Sequence, residues 1–317
     1  MNVPIVPDPV LLDRARGCAV GAAIGDALGM PLEAKPPRPL DNLLREMVRG
    51  RLPAGRFTDD TEMALALAES LLAQRPLDPA DLARRFLAWA DTGPDDIGVH
   101  TGRVLWRLRR GEPWDVAAEA VQEMNRASAA NGSLMRCWPV ALACWSEPEA
   151  LRRDSVLQSR VTHVHIDCLA ACVFANTLIA ALLRGGTPVE AFNEALATVP
   201  LPDDLRDTIE LAASRRRGRL RNSGWVHHTL ESALWGLLNT DSFEEALVQV
   251  VNLGGDADSA GAVVGALAGA AYGLSAIPER WRMALHGAWP PRSGTIWTER
   301  DFVTLADRLL ETRETRS

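Results

Sequence analysis

The stretch Gly17-Cys18-Ala19-Val20-Gly21-Ala22-Ala23-Ile24-Gly25-Asp26-Ala27-Leu28-Gly29 has a glycine at every fourth position. That spacing puts Gly17, Gly21, Gly25 and Gly29 on one stripe of an α-helix. Each glycine weakens a helix by about 1 kcal/mol relative to alanine, so the stripe needs a structural reason. A face without side chains lets another helix come close. The stretch Gly261-Ala262-Val263-Val264-Gly265-Ala266-Leu267-Ala268-Gly269-Ala270-Ala271-Tyr272-Gly273 repeats the pattern. Two such helices can pack backbone to backbone and draw neighbouring residues together. A phosphate-binding loop is a poor reading of these glycines, because no Gly-Lys-Ser/Thr follows.

Outward from these stretches, the 3.6-residue periodicity predicts helices over 10–30, 59–74, 79–90, 97–110, 114–124, 132–145, 149–160, 166–184, 189–198, 203–216, 226–238, 242–252, 257–273 and 299–312. Breakers separate them, among them Pro36-Pro37, Gly93-Pro94, Gly185-Gly186, Gly254-Gly255 and Pro290-Pro291. Hydrophobic residues make up 47% of the chain and aromatic ones only 5%. The rest of the apolar content is largely Ala, Leu and Val, which suits closely packed helices. No alternating strand pattern recurs. The expectation is an all-α fold with essentially no sheet, in one domain over 1–317, with a proline-containing N-terminal extension at 1–13.

The net charge of −7 argues against a nucleic-acid partner. Basic residues are almost all Arg, Lys35 being the one lysine. The five cysteines, Cys18, Cys137, Cys144, Cys168 and Cys172, lack zinc-ribbon spacing and read as buried free thiols in a reducing compartment. The N-terminus has no signal-peptide pattern. Cys168–Leu183 and Ala260–Leu274 are too short, or too rich in Gly and Ala, to read as membrane spans. A cytoplasmic protein without membrane contact is expected.

Two acidic clusters open apolar helices: Thr58-Asp59-Asp60-Thr61-Glu62 and Gly254-Gly255-Asp256-Ala257-Asp258-Ser259. Asp59-x-x-Glu62 has the form of a capping box, and Asp256 that of an N-cap. A cap uses one side chain, whereas each cluster has further carboxylates and a flanking hydroxyl. Crowded carboxylates are costly to bury unless neutralised. A hard divalent cation, or a pair, meets that need with oxygen ligands.

In chain order, Gly25-Asp26-Ala27-Leu28-Gly29 with Glu33, Phe57-Thr58-Asp59-Asp60-Thr61, Asp96-Ile97-Gly98, Asn131-Gly132-Ser133-Leu134-Met135-Arg136, Thr162-His163, Ala233-Leu234-Trp235 and Asn252-Leu253-Gly254-Gly255-Asp256-Ala257-Asp258-Ser259 follow one another through most of the chain. This series resembles the ADP-ribosylglycohydrolase family, in particular its dinitrogenase-reductase-activating branch. The resemblance implies a single-domain orthogonal helical bundle with two divalent cations, Mg2+ or Mn2+. It implies Thr58, Asp59 and Asp60 as metal ligands from one side, and Asp256, Asp258 and Ser259 from the other. Ser259 departs from the threonine that relatives often carry, but keeps the hydroxyl.

The resemblance also assigns catalytic work to Glu33, Asp60 and Asp96. Taken alone, Glu33 reads as a solvated charge and Asp96 as a helix cap. Gly98, Asn131, Gly132, Ser133 and Met135 are implied at the substrate, the Asn131-Gly132-Ser133 turn as a backbone cradle for diphosphate; Asn131 reads equally as a helix cap. His163 reads either as a core histidine or as a ligand to ribose or phosphate. Trp225 reads as core or as a stacking contact. Adjacent His227 and His228 are not assigned to metal. The implied reaction removes ADP-ribose from arginine of a target protein. Partners would be that ADP-ribosylated protein, ADP-ribose and a cognate ADP-ribosyltransferase, with a monomeric enzyme. Competing readings are hydrolysis of O-linked ADP-ribose, an inert structural relative, and an immunity-type binding protein that blocks a transferase.

Overall fold

The structure, a computed structural model, describes residues 8–311. Fifteen α-helices follow one another there: α1 (Pro9–Gly29), α2 (Asp59–Ala73), α3 (Pro79–Asp91), α4 (Val99–Arg109), α5 (Trp114–Met124), α6 (Trp138–Ala143), α7 (Pro148–Arg160), α8 (Ile166–Leu183), α9 (Pro188–Thr198), α10 (Asp203–Ala212), α11 (Val226–Leu238), α12 (Phe243–Val251), α13 (Ala257–Tyr272), α14 (Glu279–Ala284) and α15 (Glu299–Leu310). The sheet is one pair of two-residue strands, β1 (Gly287–Ala288) antiparallel to β2 (Ile296–Trp297). The fold is all-α, as expected.

Local chemistry sets many of the helix starts. Pro9, Pro79, Pro148 and Pro188 occupy the first helical position, where no N–H is needed. Asp8 and Asp78 accept from backbone N–H groups two residues on. Thr187 with Glu190, and Thr298 with Asp301, form reciprocal capping boxes.

The two glycine stripes meet. α1 and α13 run antiparallel, with Gly17 against Gly269, Gly21 against Gly265, Gly25 against Gly261 and Gly29 against Ala257. A Cβ on Gly25 would lie 1.9 Å from the Gly261 carbonyl oxygen, and one on Gly21 would lie 2.4 Å from that of Gly265. The approach is therefore backbone on backbone. Both helices are buried on nearly every side, as is α8. By length and composition α8 could cross a membrane, but 78% of it is buried inside the molecule. α15 packs on α1, so both ends of the described chain share one core.

Several boundaries differ from expectation. The helix expected over 132–145 is a 3₁₀ turn, Asn131–Ser133, followed by the short α6. Pro139 cannot sit inside a continuous helix, so α6 starts just before it. α10 ends at Ala212 rather than 216, and the short α14 has no counterpart among the expected helices. Of the expected extension, residues 1–7 lie outside the described residues, whereas Pro9–Asp13 are already helical. All five cysteines are buried free thiols.

Candidate active site

α1 brings a carboxylate into the core at its tightest crossing. Asp26, next to Gly25, is fully buried. Its carboxylate accepts from Thr58 N (2.9 Å), Thr58 Oγ1 (2.8 Å), Thr61 N (3.2 Å) and Thr61 Oγ1 (2.6 Å). Asp26 thus caps α2 from another helix. The Asp59-x-x-Glu62 capping box does not form: Thr58 occupies the N-cap position and makes no side-chain cap bond. With its capping done by Asp26, the first turn of α2 leaves Asp59 and Asp60 free for other work. Burial pushes the Asp26 carboxyl up to about 6, against the lowering effect of its four donors.

The second cluster comes from the loop into α13. Gly254 and Gly255 have φ of +67° and +62°, the left-handed region that suits glycine. Asp256 is the N-cap residue of α13, yet its side chain makes no cap bond. It accepts instead from Asn131 Nδ2 at 2.8 Å, and the same amide donates to Thr229 Oγ1 at 2.8 Å. Asn131 therefore does not cap a helix; it orients Asp256. Neither acidic cluster is used up in capping.

The clusters share one cleft of about 360 Å³. Asp59, Asp60, Asp256, Asp258 and Ser259 line its floor, and Glu33, Asp96 and Gly98 its outer wall. Asn131, Gly132, Met135 and His163 line the facing side. Asp60 Oδ1 is buried and has no hydrogen-bond partner. The other Asp60 oxygen, Oδ2, accepts from Thr58 Oγ1 at 3.1 Å, and the Ser259 hydroxyl donates to Met135 Sδ at 3.8 Å. Asp59, Asp60 and Asp258 are all held well above the usual carboxylate range, first by burial and then by neighbouring carboxylates. These groups suit a hard cation: buried oxygen donors in mutual repulsion, one without a partner. Among the described residues no three carboxylate, imidazole or thiol groups already enclose an ion position. The donor set also includes the hydroxyls of Thr58 and Ser259, and hard divalent ions commonly keep water ligands.

Three expected residues do not line the cleft with their side chains. Thr58 does not line the cleft, but its hydroxyl lies beside the acidic cluster, 2.8 Å from Asp26 Oδ1 and 3.1 Å from Asp60 Oδ2. Ser133 points inward, 2.8 Å from Ser159 Oγ and 3.5 Å from Cys172 Sγ, because the 3₁₀ turn rotates it into the core. Trp225 lies outside the cleft, 43% exposed, while Gly224 lines it. Asp96 does not cap α4, whose N-cap residue is Gly98. His227 and His228 bond to Asp167 and Ser223 and do not line the cleft.

Sequence reasoning missed Arg51, Arg136 and His100. The Arg51 guanidinium bridges Glu33 (2.8 Å) and Asp96 (2.9 Å), with Asp258 at 3.7 Å. Arg136 is fully buried and holds the 131–136 turn through Gly132 O (2.9 Å) and Gln158 O (3.0 Å). Burial brings its guanidinium down to about 10. Arg136 also donates to Thr162 Oγ1 at 2.8 Å, and that hydroxyl pairs with His163 Nδ1 at 2.7 Å. Burial, with His100 and Arg136 nearby, keeps His163 well below its ordinary value, so the ring is neutral. His100 stacks on it at 4.5 Å. A charge inside the otherwise apolar 17–29 stripe was the signal that could have exposed Asp26; Arg51, in an irregular loop, carried none.

The sequence profile of the ADP-ribosylglycohydrolase family matches residues 7–317. A Serratia proteamaculans protein named ADP-ribosylarginine hydrolase Tri1 is 35% identical over 294 residues, which is 89% of this chain and 78% of that protein. The ADP-ribosyl-[dinitrogen reductase] glycohydrolase of Rhodospirillum rubrum is 34% identical over 279 residues, covering 86% and 90%. A solved structure described as an ADP-ribosylglycohydrolase-related protein complex superposes with a TM-score of 0.79 at 36% identity, covering 95% of this chain and 98% of that one.

Proposed function

The chain belongs to the ADP-ribosylglycohydrolase family, and from that premise we propose that it releases ADP-ribose from modified arginine side chains of a target protein, using two divalent cations, magnesium or manganese. The observation that carries this reading is the unpartnered, buried Asp60 Oδ1 where the Asp59-Asp60 and Asp256–Ser259 clusters meet. Asp59, Asp60, Asp256 and Asp258, with the Thr58 and Ser259 hydroxyls, would hold the cations. When bound, they supply Lewis-acid charge that acidifies a water and grips vicinal ribose hydroxyls.

The chain's own residues do the rest. Cleavage of the glycosidic bond builds positive charge on the sugar, and the Glu33 and Asp96 carboxylates stabilise it from the cleft's outer wall. The same pair attracts a cationic guanidinium, as their grip on Arg51 illustrates. One carboxylate manages the proton of the attacking water and the other that of the leaving nitrogen. His163, neutral and lining the cleft, offers a hydrogen bond to ribose or phosphate. Names carried by relatives support the arginine linkage.

The test is a comparison of linkages. With magnesium or manganese, the purified protein is expected to cleave ADP-ribosylarginine peptide and leave ADP-ribosylserine peptide nearly untouched. Faster cleavage of the serine linkage would replace this reading with the O-linked one. Asp96→Ala should keep metal binding and lower kcat by about 100-fold or more, within the range for a lost general acid or base. Loss of metal binding in that variant would contradict the role given to Asp96.

Arg51→Ala offers a separate check. Arg51 competes as a cation for Glu33, Asp96 and Asp258, so its removal is expected to tighten manganese binding several-fold by isothermal titration. Unchanged or weaker binding would make Arg51 an organiser of the carboxylates instead.

A further inference from the structure

The loop between α10 and α11 reads Ser214-Arg215-Arg216-Arg217-Gly218-Arg219-Leu220-Arg221-Asn222, a dense positive run in a chain whose net charge is −7. Two of its arginines are committed. Arg215 pairs with Glu231 at 2.6 Å, and Arg217 donates to Gln249 O at 3.4 Å. Arg216, Arg219 and Arg221 are exposed and form no ion pair among the described residues.

The loop is held in place. Arg219 N donates to Arg216 O (2.8 Å), Trp235 Nε1 to Arg215 O (2.9 Å), Ser232 Oγ to Arg221 O (3.2 Å) and Asn222 Nδ2 to Val250 O (2.9 Å). It ends at the cleft: Asn222 O accepts from Asp256 N (3.3 Å), and Gly224 lines the wall while its carbonyl accepts from Asn131 N (2.9 Å). Beside it stands Trp225, exposed but fixed by stacking on His227 at 4.1 Å and 10°. His227 is in turn anchored to Asp167 at 2.8 Å. Exposed Lys35, whose carbonyl accepts from Gly255 N at 2.9 Å, flanks the same edge.

We infer that the edge from Arg216 to Trp225 is a docking surface for the substrate protein, and that it takes acidic residues flanking the modified side chain. This rests on the proposed function, in which the ADP-ribose is carried by a protein. Rigid tryptophan and arginine are the residue types that dominate interface energies. Unpaired guanidinium groups accept carboxylates in bidentate geometry. Charges at an interface rim also speed encounter, in a salt-dependent way.

The experiment uses two fluorescent peptides bearing ADP-ribosylarginine, one flanked by aspartates and one by serines. Binding to the full chain is read by anisotropy in chelator, so that no turnover intervenes. The wild type is expected to bind the aspartate peptide at least about tenfold more tightly, a preference that shrinks as salt rises. The triple variant Arg216→Glu/Arg219→Glu/Arg221→Glu should lose the preference while binding the serine peptide and free ADP-ribose as before. The corresponding triple serine variant serves if the glutamates impair folding. Absence of a preference in the wild type overturns the inference. So does loss of free ADP-ribose binding in the variant, which would assign the arginines to the nucleotide. Displacement of the aspartate peptide by a DNA duplex at equal concentration would likewise overturn it. If the preference is present but neither peptide is cleaved on adding magnesium, the docking surface stands and the arginine-linkage reading fails.

Discussion

Asp60→Ala is expected to abolish divalent binding and turnover together. Asp60 is a buried carboxylate with an oxygen that nothing among the described residues satisfies, and burial plus neighbouring carboxylates already disfavour its charge. A cation would relieve both strains, so its removal should weaken metal binding by more than about 100-fold, beyond what loss of a supporting group typically costs. Two readouts separate metal binding from chemistry. Isothermal titration should show no manganese binding. The melting temperature, which metal raises in the wild type by binding only the folded state, should no longer respond. A variant that keeps the metal-dependent rise but loses turnover would remove Asp60 from the ligand set and leave it in the chemistry alone.

Gly25→Ala should produce the largest loss of stability from a single methyl group. The new Cβ would lie 1.9 Å from Gly261 O and 2.4 Å from Gly261 C. These are backbone atoms of a buried helix and cannot turn aside as a flexible side chain could. α1 and α13 must separate, and the cost should reach about 3 kcal/mol, the upper part of the range for overpacking. In a chain of this size that lowers Tm by roughly 4–5 °C. The displaced Asp26 also loosens its hold on Thr58 and Thr61, so metal affinity should fall too. A Gly218→Ala control, where an added Cβ meets nothing within 4 Å, should leave both unchanged. Equal melting temperatures for Gly25→Ala and the control would refute the close-packing account.

Much of this architecture is legible in the order of the amino acids. The four-residue glycine repeats name both partners of the central crossing, because a stripe of such residues has no purpose on an isolated helix. The acidic clusters are legible for a similar reason: each holds more carboxylate than a helix start can use. What stays hidden depends on contacts between distant segments. The capping of α2 by Asp26 spans two helices, so local pattern assigns the cap to Asp59. The directions of the Ser133 and Trp225 side chains, into the core and out to the surface, are not legible, since a 3₁₀ turn and a loop end do not follow helical or strand periodicity. Arg51 reaches Glu33 and Asp96 from an irregular loop, and neither spacing nor hydropathy predicts where such a side chain points.

The pairing of α1 with α13 also sets the order of events during synthesis. When α1 leaves the ribosome it has a bare glycine face whose complement is made roughly 230 residues later, a long loop to close. Until then Asp26 has no finished core around it, and half of the acidic cleft does not yet exist. A nascent chain that stalls before α13, or a fragment ending there, would expose an apolar helix of the kind that aggregates or recruits chaperones. Activity should therefore arise late and all at once, when the last third of the chain docks on the first.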